Sequence, residues 1–203
     1  MGRAAFVEDL KQLLDHLEIQ QAFLVSQAMG GLTCLGFALA YPERCLGLVL
    51  GDTTGGVGDP SVLEELADVT PPAGGPGRAL CAEFIRDNPE LVFLYNQIQG
   101  MNPENPNDGI GSSFRDENGP KASDLARLTA PAVLPVILIV GEEDLIFPPK
   151  VIRSVHRLIP GSRLEVVPGA AHCTHFEQPE VFNRLVREFV ARVTAKKTGV
   201  AAD

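Results

Sequence analysis

Three positions in the chain have residue types and a spacing suited to acyl transfer or hydrolysis. The segment Ser26–Gly30 has the pattern small-x-nucleophile-x-Gly, which is typical of a tight strand-to-helix turn that exposes its third residue. Asp144 follows an apolar run, and His172 comes later, in Pro168–His172. In this order a histidine can take the proton of the nucleophile, while the carboxylate orients the imidazole. The pattern therefore predicts a nucleophile position, an acid and a base.

The third residue of the turn is Ala28, where the pattern requires serine. Alanine keeps the backbone geometry and removes one oxygen atom, so the turn, the acid and the base are present without the nucleophile. Ser26 is a poor replacement, because it lies two residues before the tip of the turn and is expected to point away. An engineered Ser→Ala change would explain Ala28, and so would natural loss of catalysis.

The elements that must position these residues alternate between strands and helices. Short apolar runs predict buried parallel strands over 22–25, 46–50, 133–140 and 164–167. Apolar residues at spacings of three and four predict helices over 4–17, from Leu32 to about Tyr41, over 151–159 and over 179–195. The alternation predicts an α/β fold, with a mainly parallel sheet flanked by helices. Each candidate site residue follows a strand, so all three are expected at one edge of the sheet.

A segment rich in proline and glycine, residues 57–128, interrupts this alternation. It contains helix-like pieces over 61–68, 78–87 and 89–99, and an unstructured loop of this length would be unusual. We predict a single domain in three parts. They are a first core part with the turn (1–56), a helical cap insertion over the ligand-binding edge of the sheet (57–128), and a second core part with the acid and the histidine (129–203). The tail from Ala195 is expected to fray.

Composition excludes several classes of function. The net charge of −9 argues against nucleic acid or an anionic membrane surface as a partner. No run of about 18 apolar residues predicts a membrane span, and the first residues lack the apolar stretch of a signal peptide, so we expect a cytoplasmic protein. The four cysteines have no metal-ligand spacing, and no glycine-rich phosphate loop occurs. We therefore expect no metal and no cofactor, and a small molecule as the binding partner.

Several ordered motifs between Phe6 and Val193 resemble the α/β-hydrolase fold family, especially its esterase and C–C-bond hydrolase branches. These motifs are Asp9-Leu10-x-x-Leu13-Leu14-Asp15-His16-Leu17, Met29-Gly30-Gly31, Phe37-Ala38-Leu39-Ala40-Tyr41-Pro42-Glu43-Arg44, Leu48-Val49-Leu50-x-Asp52-Thr53, Gly141-x-x-Asp144 and Gly169-x-x-His172-x-x-x-Phe176-Glu177-x-Pro179-Glu180. The resemblance implies that Ala28 occupies the nucleophile position. It also implies that Asp144 and His172 are the acid and base of a catalytic triad, and that residues 57–128 shape the substrate pocket.

The same resemblance implies roles for neighbouring residues. The N–H of Met29 is expected to act as an oxyanion donor, and Gln27 and His175 are expected to contact the substrate. Members of the family have four strands and a second oxyanion loop before the helix predicted over 4–17, and these segments are missing from the sequence. The strand over 22–25 is therefore expected to expose an apolar edge through which the chain could self-associate.

Three functions agree with the sequence. The chain belongs either to a hydrolase of ester, acyl or C–C bonds whose nucleophile is absent, or to an inactive ligand-binding or scaffold relative. In the third alternative, His172 and Asp144 act as a dyad on water or on an acidic C–H bond. Asp52 also ends a strand and could replace Asp144 as the acid, but a solvated residue in a turn is the simpler expectation.

Overall fold

Four parallel strands form the sheet of the computed structural model, which describes residues 3–70, 75–101, 114–128 and 134–198. The strands lie side by side in chain order: β1 (Ala22–Gln27), β2 (Cys45–Gly51), β3 (Val136–Gly141) and β4 (Arg163–Val167). The predicted α/β fold with a parallel sheet is thus confirmed. Because the strands are parallel, their carboxyl ends meet at one edge.

The described helices are α1 (Arg3–His16), α2 (Gly30–Ala40), α3 (Pro60–Ala67), α4 (Ala82–Asp87), α5 (Pro89–Gly100), α6 (Ala122–Arg127), α7 (Pro149–Leu158), α8 (Thr174–Glu177) and α9 (Pro179–Thr198). None of them is long and apolar enough to cross a bilayer. Helix α9 continues to Thr198. The prediction that the chain frays from Ala195 is therefore wrong for residues 195–198.

Helices cover both faces of the two central strands, which explains why these strands are continuous apolar runs. Leu48 and Leu50 of β2 pack into the larger core cluster, together with residues of α1, α2, α3 and α7. Val49 points to the opposite face, where α9 contributes Phe182 and Phe189. A strand that is buried on both faces has no polar alternation.

The long segment between β2 and β3 contains helices α3 to α6. Its two ends are joined, because the N–H of Gly58 donates to the carbonyl of Pro120 at 2.9 Å and the N–H of Ala122 donates to Oδ2 of Asp59 at 3.3 Å. Asp59 also caps the first turn of α3 through the N–H of Ser61. The part of the segment from Gly58 to Pro120 therefore begins and ends at nearly the same place.

The predicted helix over 78–87 is wrong in its first four residues. A single 3₁₀ turn occupies Pro76–Arg78, and α4 starts at Ala82 after an extended Cys81. Helices α6 and α8 were not predicted, because they are too short to show a helical period. The proline-rich segment 103–107 and residues 71–74 lie outside the described residues.

β1 lies at the edge of the described sheet, where it pairs only with β2. Phe23 of this strand packs edge-on against Phe189, with the ring centroids 6.2 Å apart. Val25 is 46% exposed. Among the described residues β1 is therefore an edge strand with an exposed valine, and the uncovered apolar edge and self-association through it stay predictions.

Candidate active site

The turn after β1 has the geometry that exposes its tip residue. Ala28 takes a left-handed backbone conformation, with φ 45°, which is rare for a residue other than glycine. The N–H of Ala28 donates to the carbonyl of Gly51 at 3.0 Å, and its carbonyl accepts from the N–H of Gly31 at 3.0 Å. Strain of this kind persists where the surrounding structure holds it. The backbone of a nucleophile turn is therefore present with alanine at its tip.

Close packing after the turn depends on Gly31. A Cβ atom at this position would lie 2.4 Å from Oγ1 of Thr53. At Gly30 the corresponding contact, with Cβ of Ser26, is an ordinary 3.5 Å. The hydroxyl of Ser26 is buried and donates to the carbonyl of Val49 at 2.9 Å, so this serine points away from the tip. The start of α2 thus approaches the end of β2 more closely than a side chain at position 31 would allow.

Asp144 and His172 meet at the carboxyl edge of the sheet. Nδ1 of His172 lies 3.0 Å from Oδ2 of Asp144, and both side chains are buried. The other oxygen, Oδ1, accepts from the N–H groups of Ile146 and Phe147 at 2.8 and 2.9 Å. The carboxylate is therefore fixed by its own turn. It can hold the imidazole in one tautomer and stabilise the charged ring.

The neighbours of the turn differ in their contacts. Nε2 of Gln27 donates to the main-chain carbonyl of His172 at 2.8 Å, so this amide joins the turn to the histidine loop, residues 168–178. Among the described residues, no acceptor contacts the N–H of Met29. His175 packs edge-on against Phe182, with the ring centroids 6.2 Å apart. The roles of Gln27 and His175 in substrate contact, and of Met29 in oxyanion binding, stay predictions.

Asp52 is fully buried, so the expectation of a solvated turn residue is wrong. Its carboxyl accepts three hydrogen bonds: from the N–H of Gly141, and from the N–H and the hydroxyl of Thr174, at 2.7 to 3.1 Å. Burial, together with the charge of Asp144, raises the pKa of Asp52 to about 7. The histidine loop covers the end of β2, and that is why Asp52 is not solvated.

The raised pKa of Asp52 predicts a specific pH dependence of stability. An unfolded aspartate loses its proton near pH 4, so between about pH 4 and 7 the folded chain holds a proton that the unfolded chain lacks. The free energy of unfolding should therefore fall as pH rises through this window, by at most about 1.4 kcal/mol per pH unit for this group. Asp52→Asn removes the titration and should flatten the curve measured by urea unfolding at pH 5, 6, 7 and 8.

Asp9→Asn is the matched control, because Asp9 is exposed on α1. This variant should keep the slope of the parent chain over the same range. Parallel curves for the parent chain and Asp52→Asn between pH 5 and 7 would show that Asp52 is already ionised in the folded state.

A cavity of about 490 Å³ adjoins the imidazole of His172. The segment between β2 and β3 supplies most of its wall, and Ile146 follows the turn of Asp144. The described lining residues are Gly75, Arg78, Ala79, Tyr95, Asn96, Gln99, Ile146 and His172. A small molecule in this cavity would therefore lie against the candidate base.

No group of three or more histidine, cysteine, aspartate or glutamate side chains suited to a metal ion occurs in the described part of the chain. The sequence predicted no role for Arg78 or Glu177, although Glu177 is buried within the histidine loop. Arg78 follows a Pro-Gly pair that predicts a turn, but the neighbouring sequence gives no sign that this turn borders the cavity. One partner of Glu177, the N–H of Cys81, lies 96 positions away in the sequence.

Comparison with known proteins agrees with this architecture. The family model described as serine aminopeptidase, S33, matches residues 2–179. The chain is 33% identical over 209 residues to 2-hydroxymuconate semialdehyde hydrolase of Pseudomonas putida, covering 96% of this chain and 71% of the relative. It is 28% identical over 194 residues to 3-oxoadipate enol-lactonase 2 of Acinetobacter baylyi, covering 91% and 69%.

Among solved structures, a thermophilic esterase from Thermogutta terrifontis with malate bound is similar throughout the fold. The TM-score is 0.72 and the identity 27%, and the match covers 95% of this chain and 73% of the esterase. The chain therefore spans about seven-tenths of the length of these relatives.

Proposed function

Because the chain belongs to the serine aminopeptidase S33 family of α/β-hydrolases, we propose that its site binds the carbonyl-bearing part of a small-molecule ester, lactone or ketone. The ligand occupies the cavity beside His172. With alanine at position 28 the side chain has no oxygen that could form an acyl-enzyme, so the ligand binds without covalent attachment.

The observation that carries this proposal is the hydrogen bond between His172 and Asp144 at the wall of the cavity. This contact supports the proposed roles of His172 as base and Asp144 as acid, although the nucleophile is missing. The N–H of Met29, at the turn, supports a carbonyl oxygen placed near Ala28. Binding without turnover agrees with these contacts.

A second candidate function uses the dyad directly. His172 would remove a proton from a water molecule or from an acidic C–H bond, and Asp144 would stabilise the imidazolium that forms. The fixed carboxylate of Asp144, with its three hydrogen bonds, favours this candidate over a purely structural role. The two candidates differ in whether the unaltered chain turns over its ligand.

The charge of the cavity indicates the class of ligand. Arg78 is the permanent cation among the described lining residues, and no carboxylate is among them. In a chain of net charge −9, this favours a ligand with an anionic group. The names of two relatives refer to acids, 3-oxoadipate and 2-hydroxymuconate, and malate, also an acid, is bound in the esterase structure. We therefore propose a carboxylate-bearing substrate.

Binding of two related esters tests this proposal. Monomethyl adipate has one carboxylate and one ester, whereas dimethyl adipate has two esters and no charge. The chain should bind the monomethyl ester more tightly, and Arg78→Gln should weaken that binding about tenfold, the effect of losing about 1.4 kcal/mol from a partly exposed charge-assisted hydrogen bond. Isothermal titration calorimetry measures both affinities.

Arg86→Gln provides the matched control, since Arg86 lies on α4, pairs with Asp87 and does not line the cavity. It removes the same charge and should leave both affinities unchanged. Equal binding of the two esters, or equal weakening of both by Arg78→Gln, would contradict the proposed anionic ligand.

A further inference from the structure

Glu177, the last residue of α8, is a buried carboxyl whose two oxygens each accept a backbone hydrogen bond. Oε1 accepts from the N–H of Ala171 at 2.7 Å, and Oε2 accepts from the N–H of Cys81 at 2.6 Å. Only 6% of the residue is exposed. Short hydrogen bonds to a charged acceptor are among the stronger ones in proteins. A carboxylate can accept at both oxygens, whereas a carboxamide can accept at only one.

The two donors belong to parts of the chain that are far apart in sequence. Ala171 directly precedes His172, and Cys81 lies in the segment between β2 and β3, two residues after Ala79, which lines the cavity. A second link runs in parallel, because the N–H of Cys173 donates to the carbonyl of Ala79 at 3.1 Å. Of the two residues beside His172, Cys173 therefore bonds the segment 79–81 directly, and Ala171 is linked to it through the carboxylate of Glu177.

Aromatic packing adds to this connection. The ring of Phe176, in the histidine loop, lies 5.8 Å from the ring of Phe84 and 5.8 Å from that of Tyr95, which also lines the cavity. Phe84 belongs to α4, and Tyr95 belongs to α5. A movement of the cavity wall would consequently displace the histidine loop as well.

We infer that Glu177 is a positioning residue, which couples the cavity wall at 79–81 to the placement of His172. A ligand that shifts Ala79 would act on His172 through the carbonyl of Ala79 and through Glu177. The functional part of this inference rests on the proposed function, because it takes the cavity as the ligand site and His172 as the base. The mechanical coupling itself requires neither a ligand nor activity.

Amide hydrogen exchange in the unaltered chain tests the coupling first. If the segment 79–81 and the histidine loop open together, the N–H groups of Cys81, Ala171 and Cys173 should share one opening free energy. Protection factors within threefold of one another are the expected result. A Cys81 amide that exchanges tenfold faster than that of Ala171 would overturn the inference, and this holds even if no ester binds.

Glu177→Gln tests the role of the carboxylate. One amide N–H must then face the NH₂ group of the glutamine, so exchange at Cys81 and Ala171 should rise at least tenfold together. Exchange of the His172 Nδ1 proton, which lies in the hydrogen bond to Asp144, should rise at least tenfold as well. Faster exchange of this ring proton, with unchanged protection of the amides in β3, separates a positioning effect on His172 from a general loss of stability.

Glu180→Gln is the matched control, with the same chemical change on an exposed residue three positions further along the chain. It should leave all these protons unchanged. The inference is wrong if Glu177→Gln speeds exchange in only one of the two segments, or leaves the His172 proton at its original rate. If this variant does not fold, the comparison of amides in the unaltered chain still decides the question.

Discussion

Ala28→Ser is expected to raise the hydrolysis rate of p-nitrophenyl butyrate by about 10³- to 10⁴-fold over the unaltered chain. Loss of a triad nucleophile costs on the order of 10⁶ in turnover. The backbone at position 28 already has the turn geometry, and the acid and base are already paired. The described residues offer the N–H of Met29 as an oxyanion donor, and allowing about 10²- to 10³-fold for a second donor that they do not supply gives the expected range. Release of p-nitrophenol, with a burst if an acyl-enzyme accumulates, is the measurement.

Two variants make this result specific. Ala40→Ser introduces the same hydroxyl at the exposed end of α2 and should leave the rate unchanged. Ala28→Ser combined with His172→Ala should lose the gain, because the new hydroxyl then has no base. A folded Ala28→Ser chain with no gain would favour the ligand-binding or dyad alternatives. Of these, the dyad requires that His172→Ala abolish any turnover of the unaltered chain.

Gly141→Ala is expected to lower the free energy of unfolding by about 3 kcal/mol, the upper end of the usual cost of an extra methyl group in a packed core. A Cβ atom at this position would lie 2.0 Å from the carbonyl oxygen of Ala171 and 2.4 Å from that of Ala170. Both are backbone atoms, so the histidine loop would have to move. The hydrogen bond between His172 and Asp144 should weaken with it. Urea unfolding measures the stability.

Gly100→Ala is the comparison, because Gly100 ends α5 and no described atom lies within 4 Å of an added Cβ. This change should be neutral or stabilising by up to about 1 kcal/mol, as for glycine replaced in a helix. An equally small change in the free energy of unfolding for Gly141→Ala would contradict the prediction. It would show that the histidine loop can move away from the added methyl group at little cost.

The strands and the order of the candidate site residues could be predicted because their signals are local. An apolar run followed by a small-residue turn is visible without tertiary information, and parallel strands bring their carboxyl ends to one edge. The pairing of Asp144 with His172 follows from this rule together with the family resemblance. The burial of β2 and β3 on both faces is equally visible in their uninterrupted apolar runs.

Several contacts that fix the site could not be predicted, because they join residues far apart in the chain. Gln27 donates to the carbonyl of His172 across 145 positions, and Glu177 accepts from Cys81 across 96. Asp52 has the sequence context of a turn residue, and its burial arises only when Thr174 folds over it. Short helices such as α8 are fixed by these same contacts rather than by a period of their own.

The joined ends of the segment between β2 and β3 have a consequence for how this protein can vary. Hydrogen bonds between Gly58 and Pro120, and between Asp59 and Ala122, close the segment at its base. The entropy lost on closing a flexible loop grows only with the logarithm of its length, about 0.6 kcal/mol for each doubling. Insertions or deletions in the exposed turns between these bonds therefore add little closure entropy, while buried residues of the segment such as Val62 and Leu66 stay fixed by the core. The wall of the cavity can diversify in this way while the register of the sheet is preserved.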